Sequence, residues 1–319
     1  MANGAEGLRL GRAGRTPPSA AGVGTGVLIL LIWLVGASGL LLLLWGSKLT
    51  FLLDDWEFLL YRRGFNADAI LQPHNEHISV FPILIYKALL ASFGMGSALP
   101  FRVVSTGLFL LSAVLMFIFV QRRVGQGLAL IATSVVLFLG AAWEDLLWSF
   151  QMGYFGSMAA GIGALLALER DDRRADALAC GLLSVSILFS SLGIPFLLGA
   201  VVEVLSRKDW RRRLYVPVIP AGIYLVWWLG WGHDAETHLS LANLAKTPAF
   251  VLNGLGTTLA SAFGLAGPSV ATAPGGLDWG RPMAVAAVVL ACWWGAKRFD
   301  RVPRWVWILS TVLASFWIL

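Results

Sequence analysis

The sequence is short of charge and nearly without cysteine. Asp, Glu, Lys and Arg supply 13% of its 319 residues, about half the share in an average soluble domain. With 58% of the chain apolar, a water-soluble globular fold is excluded. Disorder is excluded too, because it needs low hydrophobicity and high net charge. The two cysteines, Cys180 and Cys292, both lie inside apolar runs. That leaves no disulfide framework and no cysteine metal site. Period-two alternation is missing, so a β-barrel is not expected. No basic stripe interleaved with aromatics lies on a polar segment, so nucleic acid is not an expected partner.

What is present is a series of apolar runs, with a mean hydropathy of +0.75 over the chain. They predict an all-α, polytopic helical transmembrane protein. Residues 1–22 read as a flexible cytoplasmic tail, and 23–319 as one transmembrane domain. Val23–Trp45 is too long for a signal-peptide core and is followed by no clean cleavage site, so it reads as an uncleaved first span. An external loop, 46–100, comes next. Further spans are expected near 101–120, 126–143, 151–168, 178–191, 192–206, 214–231, 282–296 and 304–319. The pair 178–206 has a second reading, one long helix kinked at Ser190–Gly193.

Two segments decide sidedness. Residues 77–93 carry Pro82 and Lys87 and read as a flat, juxtamembrane helix. Residues 250–266 carry Gly254, Gly256 and Gly264 and read as re-entrant or interfacial. On that topology Arg122-Arg123, Arg170–Arg174, Arg207–Arg213 and Lys297–Arg304 face the cytoplasm, which is what retains basic loops there. The four histidines and most isolated carboxylates then collect on the opposite, external face. The net charge of +6 is accounted for by the cytoplasmic loops.

Three polar strings stand on that external face. Asp54-Asp55-Trp56-Glu57 follows the first span directly. Two adjacent carboxylates beside lipid are costly unless cations or hydrogen bonds satisfy them. An ionised Asp there suits general-base work on an acceptor hydroxyl; the plainer reading is an interfacial helix start, with Trp56 in the aromatic belt. Pro73-His74-Asn75-Glu76-His77 offers imidazoles and a carboxylate for a sugar, a phosphate or a metal, or a helix start with Asn75 as its cap. Trp143–Gln151 carries Glu144, Asp145 and Gln151 between tryptophans, which suit either an interface belt or stacking on a sugar ring. Asp54, Glu144 and His74 are the candidate ligands for a divalent cation, the one cofactor the residues admit. Arg62, Arg63, Lys87 and Arg102 are the external cations. Arg102 has a second reading as a snorkelling arginine.

One span, an external loop opening on an acidic pair, juxtamembrane helices, many short spans and a second acidic site together resemble the GT-C superfamily of integral-membrane glycosyltransferases. That group includes the protein mannosyltransferases and the lipid A aminoarabinose transferases. The resemblance covers roughly residues 23–210. It implies a polyprenyl-phosphate sugar donor, an acceptor that is a glycan, lipid or protein, and a site at the extracytoplasmic border of the bilayer. It maps the catalytic acids onto Asp54 and Asp55 and the second acidic position onto Glu144 or Asp145. Substrate-binding roles are then expected for Glu57, Arg62, His74, Glu76, His77, Arg102, Glu144, Asp145 and Gln151. The competing class is a multi-pass transporter or lipid flippase, which would place ionisable groups at mid-membrane on broken helices. Near-absence of mid-span charge disfavours it, and Ser190–Gly193 is the one feature that suggests it. A non-catalytic envelope scaffold is the third reading.

Overall fold

The computed structural model describes residues 22–235, 240–265, 279–298 and 302–318. Residues 1–21 of the expected tail lie outside the described residues, as do Glu236, His238 and Asp278 of the expected external face. Among the described residues the chain is helical and has no strand; its one β-type pairing is an isolated bridge between His74 and His77.

Helix α1 (Thr25–Gly46) is apolar all round, the pattern of a helix buried in protein or lipid. The loop that follows holds α2 (Asp54–Trp56), a π-helical turn (Glu57–Tyr61), α3 (Ala67–Leu71) and α4 (Val80–Phe93). Helix α5 (Leu99–Val124) takes Pro100 in its first turn, where a missing N–H costs nothing, and ends on Arg122 and Arg123, whose charge suits the helix C-terminus. At 26 residues it is about 39 Å long, enough to cross a bilayer. Then come α6 (Gln126–Leu137), α7 (Trp143–Leu147), α8 (Met152–Leu168), α9 (Arg173–Phe189), α10 (Gly193–Leu205), α11 (Trp210–Arg213), α12 (Tyr215–Gly230), α13 (Leu241–Ala262), α14 (Gly280–Arg298) and α15 (Arg304–Ile318). Among the described residues, five helical stretches are long and apolar enough to cross a membrane: Thr25–Gly46, Leu99–Val124, Gln126–Leu147, Ser149–Leu168 and Trp210–Gly230. The chain is therefore a helical membrane protein. Helices α4 and α10 are apolar but shorter.

Hydrogen bonds between distant residues fix which helix ends lie together. At one end, the Gly24 amide meets Gln126 Oε1 at 3.1 Å, Arg122 and Arg123 both bond Glu169, Arg207 reaches the Leu168 carbonyl, and Arg304 pairs with Glu203 at 3.0 Å. We call this the arginine-rich end. At the other, the loop end, Arg102 bonds Gly46 and Leu147, Ile78 bonds Ser191, and Trp231 bonds Asp68. Helix α4 is flanked by loop-end contacts: Ile78 just before it, and the first turn of α5 just after it. Gly94–Ala98 can extend about 17 Å, too little to recross the roughly 30 Å of a hydrocarbon core. Helix α4 therefore does not traverse the bundle.

Helices α9 and α10 are separate, joined by a turn at Ser190–Leu192 that sits at the loop end beside Ile78. The single kinked helix over 178–206 is not formed. Residues 250–262 belong to α13, an unbroken helix that starts well before them and packs on α14 and α15, so no re-entrant break interrupts that described stretch.

Helix α8 is the centre of the bundle, the most buried of the five long stretches. Its glycines allow the approach: a Cβ at Gly156 would lie 2.5 Å from the Phe189 ring, and one at Gly161 2.3 Å from Phe196. Close packing through small residues is the usual substitute for a hydrophobic drive inside lipid. Ser186 on α9 also donates to the Ser157 carbonyl of α8 at 2.8 Å.

The loop end is held by Arg102, which is 3% exposed. Its Nε donates to Leu147 O (3.1 Å), Nη1 to Gly46 O (2.9 Å) and Leu49 O, and Nη2 to Thr50 O. Four of the five guanidinium N–H groups are thus spent on main-chain carbonyls. This closes the C-terminus of α1 against α5 and α7, and it replaces the snorkelling reading with a buried clamp. We predict that Arg102→Met lowers the unfolding free energy in detergent by about 3 kcal/mol or more, because it removes four charge-assisted hydrogen bonds to main-chain carbonyls. Arg102→Lys should recover little, since an ammonium cannot span the fork. Wild-type thermal unfolding of Arg102→Met would contradict the clamp.

Candidate functional site

The two adjacent aspartates have different surroundings. Leu53, just before them, has a positive φ of 39°, a conformation that costs a branched residue about 1–3 kcal/mol and tends to persist at functional sites. After the kink, α2 turns Asp55 inward and leaves Asp54 facing outward. The π-helical turn that follows is itself a geometry often found at functional sites.

Asp55 is fully buried. Its Oδ2 accepts the Leu52 amide at 2.8 Å, Oδ1 accepts the Tyr86 hydroxyl, and the Phe150 amide also faces it. Burial pushes its carboxyl above the usual carboxylate range; the two amides, Tyr86 and the charge of Arg102 oppose that shift. With both oxygens engaged, Asp55 ties the loop to α4 and to the corner before α8. Phe51, Phe58, Phe101 and Phe150 pack around the tie.

Asp54 keeps a side chain 34% exposed, and its Oδ2 lies 3.5 Å from His74 Nε2. His74 is buried between Phe58 and Phe150, with ring centroids at 5.1 and 4.9 Å. Burial pulls the His74 imidazole below its ordinary range, and the neighbouring Asp54 only partly offsets this. His77 is pulled down by burial as well. Both histidines present buried ring nitrogens with no hydrogen-bond partner, Nε2 of His74 and Nδ1 of His77. They stand on one tight turn: the His74 and His77 amides each donate to the other's carbonyl at 3.0 Å. Asn75 takes a positive φ of 51° at the bend. Asn75 is thus a turn residue and caps no helix; the next helix begins at Val80.

Arg62 holds this turn from below. Its Nη1 and Nη2 donate to Gln72 O (2.9 Å) and Pro73 O (2.7 Å), and its Nε faces Glu57 at 3.6 Å. Lys87 donates to the Arg62 and Gly64 carbonyls. Arg62, like Arg102, is a brace that spends guanidinium donors on main-chain carbonyls. Glu57 is part of the brace. Glu76 is exposed at the rim of the turn, and Ser191 donates to its carbonyl at 3.4 Å.

The second acidic string reaches the same mouth. Trp148 Nε1 donates to Leu52 O at 3.2 Å, and Gln151 Nε2 to Asp145 Oδ1 at 2.7 Å. Glu144 and Asp145 are exposed on α7, while Gln151 is buried behind them. The expected cation set of Asp54, Glu144 and His74 is not assembled: among the described residues no three of His, Cys, Asp or Glu converge to hold a metal. His233 and Asp234 pair with each other at 3.4 Å, apart from this cluster.

Three further residues belong to the site. Tyr86 engages Asp55. Tyr154 packs edge-on to His77 at 5.7 Å and lies close enough to Asp54, Glu76 and Asp145 to feel each charge. Ser191 bonds both sides of the histidine turn. A hydroxyl interrupting an otherwise apolar run was the available signal for the two tyrosines; for Ser191 there was none.

Beside the turn runs an apolar groove of about 420 Å³ between α9 and α12. Leu71 and Ile78, which bracket the Pro73–His77 string, line it together with Leu188, Ile223, Val226 and Trp227. Trp227 Nε1 donates to Leu71 O at 2.6 Å, fixing the string to the groove wall.

No family model matches the chain, and no curated protein or solved structure matches it either.

The histidine turn makes a pH prediction. Both imidazoles have depressed pKa values in the fold, so the unfolded chain takes up protons first as pH falls below about 6.5. Stability is therefore full above that pH and declines on acidification toward the folded-state values. Melting in detergent should drop between pH 7.5 and 5.5, and by less in His74→Gln. Equal melting temperatures at the two pH values would contradict the buried neutral histidines.

Proposed function

We propose that this protein is a membrane glycosyltransferase of the GT-C type. In this reading it moves a sugar from a polyprenyl-phosphate donor to an acceptor hydroxyl at the extracytoplasmic border of the bilayer. The observation that carries the reading is the division of labour in the acidic pair. Asp55 is consumed in holding the loop, and Asp54 is left half-open against a buried histidine at the outer end of the first long helix.

Sidedness follows from charge. Arg122, Arg123, Arg170, Arg207 and Arg213 gather at the end opposite Asp54, and basic residues retain their end in the cytoplasm. Asp54 then faces out, at the depth where the phosphate of a bilayer-embedded donor sits. The apolar groove beside Leu71 and Ile78 suits an isoprenoid chain, with its phosphate near the histidine turn.

Asp54 accepts the proton of the acceptor hydroxyl. The acceptor oxygen bonds to the anomeric carbon as the bond from that carbon to the phosphate oxygen breaks, and the lipid phosphate leaves with the electron pair, giving inversion. His74 orients the Asp54 carboxylate. Lys48 and Arg63, exposed on the same loop, are the cations this reading assigns to the leaving phosphate, since Arg62 and Arg102 hold main-chain carbonyls. The transport alternative loses its motivating feature, because the Ser190–Leu192 break is a hairpin turn at the loop end.

Asp54→Asn should reduce transfer from a polyprenyl-phosphate sugar by about 10²–10⁴-fold, the usual contribution of a general base, with unfolding unchanged. Asp55→Asn should instead destabilise the protein by about 1–3 kcal/mol, because it unpairs a buried acceptor. Undiminished transfer by Asp54→Asn would refute the assignment.

A further inference from the structure

The arginine-rich end contains a second cavity, about 410 Å³, that the proposed reaction does not use. It opens between the last turn of α5 and the first turn of α15. Arg122, Arg123 and Arg304 line it, with Glu169 and Glu203 between them. Arg122 Nη1 and Arg123 Nη2 both bond Glu169, at 2.7 and 2.5 Å. Glu203 is buried and is shared by Arg207 (2.7 Å) and Arg304 (3.0 Å). Three cations thus face two carboxylates, and the lining keeps a positive excess.

Not all of the donor capacity is spent. Arg122 and Arg304 each hold one carboxylate and remain half exposed, at 50% and 47% of the side chain. Arg123 is stacked on the Phe119 ring at 3.4 Å, and its Nε is buried without a hydrogen-bond partner. The floor of the cavity, in contrast, is apolar: Phe119, Leu165 and Ile308. Trp305 stands at the rim, where an indole suits the headgroup layer.

The arrangement is amphiphilic along the helix axis: arginines outermost, apolar side chains one to two turns inward. A soluble anion has no use for the inner half, whereas a lipid phosphate with its acyl chains below matches both halves. Basic pockets between transmembrane helices on the cytoplasmic side are a known form of anionic-lipid site. We infer that this cavity binds the phosphate headgroup of an anionic phospholipid from the cytoplasmic leaflet, with Arg122, Arg123 and Arg304 as its ligands. The site bridges α5, α8, α10 and α15, so the lipid braces α15 against the bundle. The inference is independent of the sugar-transfer reading.

The test uses the full chain in nanodiscs and in detergent, with native mass spectrometry for bound lipid and thermal unfolding for the brace. Phosphatidylglycerol should be retained and should raise the melting temperature; phosphatidylcholine should do neither. Arg122→Gln/Arg304→Gln should weaken phosphatidylglycerol binding by about fivefold per arginine removed and abolish the thermal shift. Arg122→Lys/Arg304→Lys, which keeps the charge, should retain a partial shift and so separates lost binding from misfolding. Equal shifts with the two lipids would overturn the proposal, as would a wild-type response in the glutamine variant. A full shift with millimolar inorganic phosphate alone would also overturn it, by assigning the cavity to a soluble anion.

Discussion

Placing a cation inside the loop end is the constraint on which the rest of the structure depends. Arg102 sits at the head of a long apolar helix and spends its guanidinium on four carbonyls from α1, its trailing loop and α7. Gly46 and Leu147 each end a helix, where the last C=O groups lack an intrahelical partner. One side chain thereby ends the first span, closes the loop over it and brings Leu147 alongside. The aspartate pair then follows at a fixed height above the apolar bundle, and the buried charge of Arg102 reaches Asp55 and helps to offset the desolvation of its carboxylate.

From that clamp the site assembles through a chain of hydrogen bonds, all but the Tyr86–Asp55 bond made to the main chain. Asp55 holds Leu52 and Tyr86, Trp148 holds the Leu52 carbonyl, Arg62 holds Gln72 and Pro73, and Trp227 holds Leu71. Asp55, Arg62, Lys87 and Arg102 are all engaged with the main chain. What they support is small: one half-open carboxylate, a neutral imidazole behind it and a tyrosine beside it. A site of this kind relies on preorganised position rather than on a concentration of charge. That suits a reaction in which the enzyme supplies a base and an orientation.

The class of fold was legible from hydropathy, because each long apolar run must satisfy its own backbone in lipid and a helix is the simplest way to do so. Val23–Trp45 and 101–120 lie close to α1 and α5 for that reason. The polar strings were legible as clusters, since Asp54-Asp55, Pro73–His77 and Glu144-Asp145 interrupt apolar sequence, and the structure brings parts of all three to one mouth. Their inner division was not legible. Nothing in Asp54-Asp55 as letters tells which carboxylate turns inward; that depends on the left-handed Leu53 and on a tyrosine 31 positions away. Arg62 and Arg102 read as free cations because sequence displays a charge but not the carbonyls that occupy it. The glycines of the α13 segment suggest a break, whereas in the fold Gly254 and Gly256 make room for Trp317 and the Gly280 carbonyl, and Gly264, with a φ of 69°, follows the helix end.

The most direct test of the central claim, a lipid-linked donor held beside Asp54 at the loop end, is photocrosslinking. A photoreactive polyprenyl-phosphate analogue would be reacted with the protein in vesicles and its adducts mapped by mass spectrometry. The account predicts adducts on Leu71–Ile78 and on the α12 wall around Ile223–Trp227, competed away by unlabelled polyprenyl phosphate. Adducts confined to the arginine-rich end, or no competable adduct near the histidine turn, would contradict it.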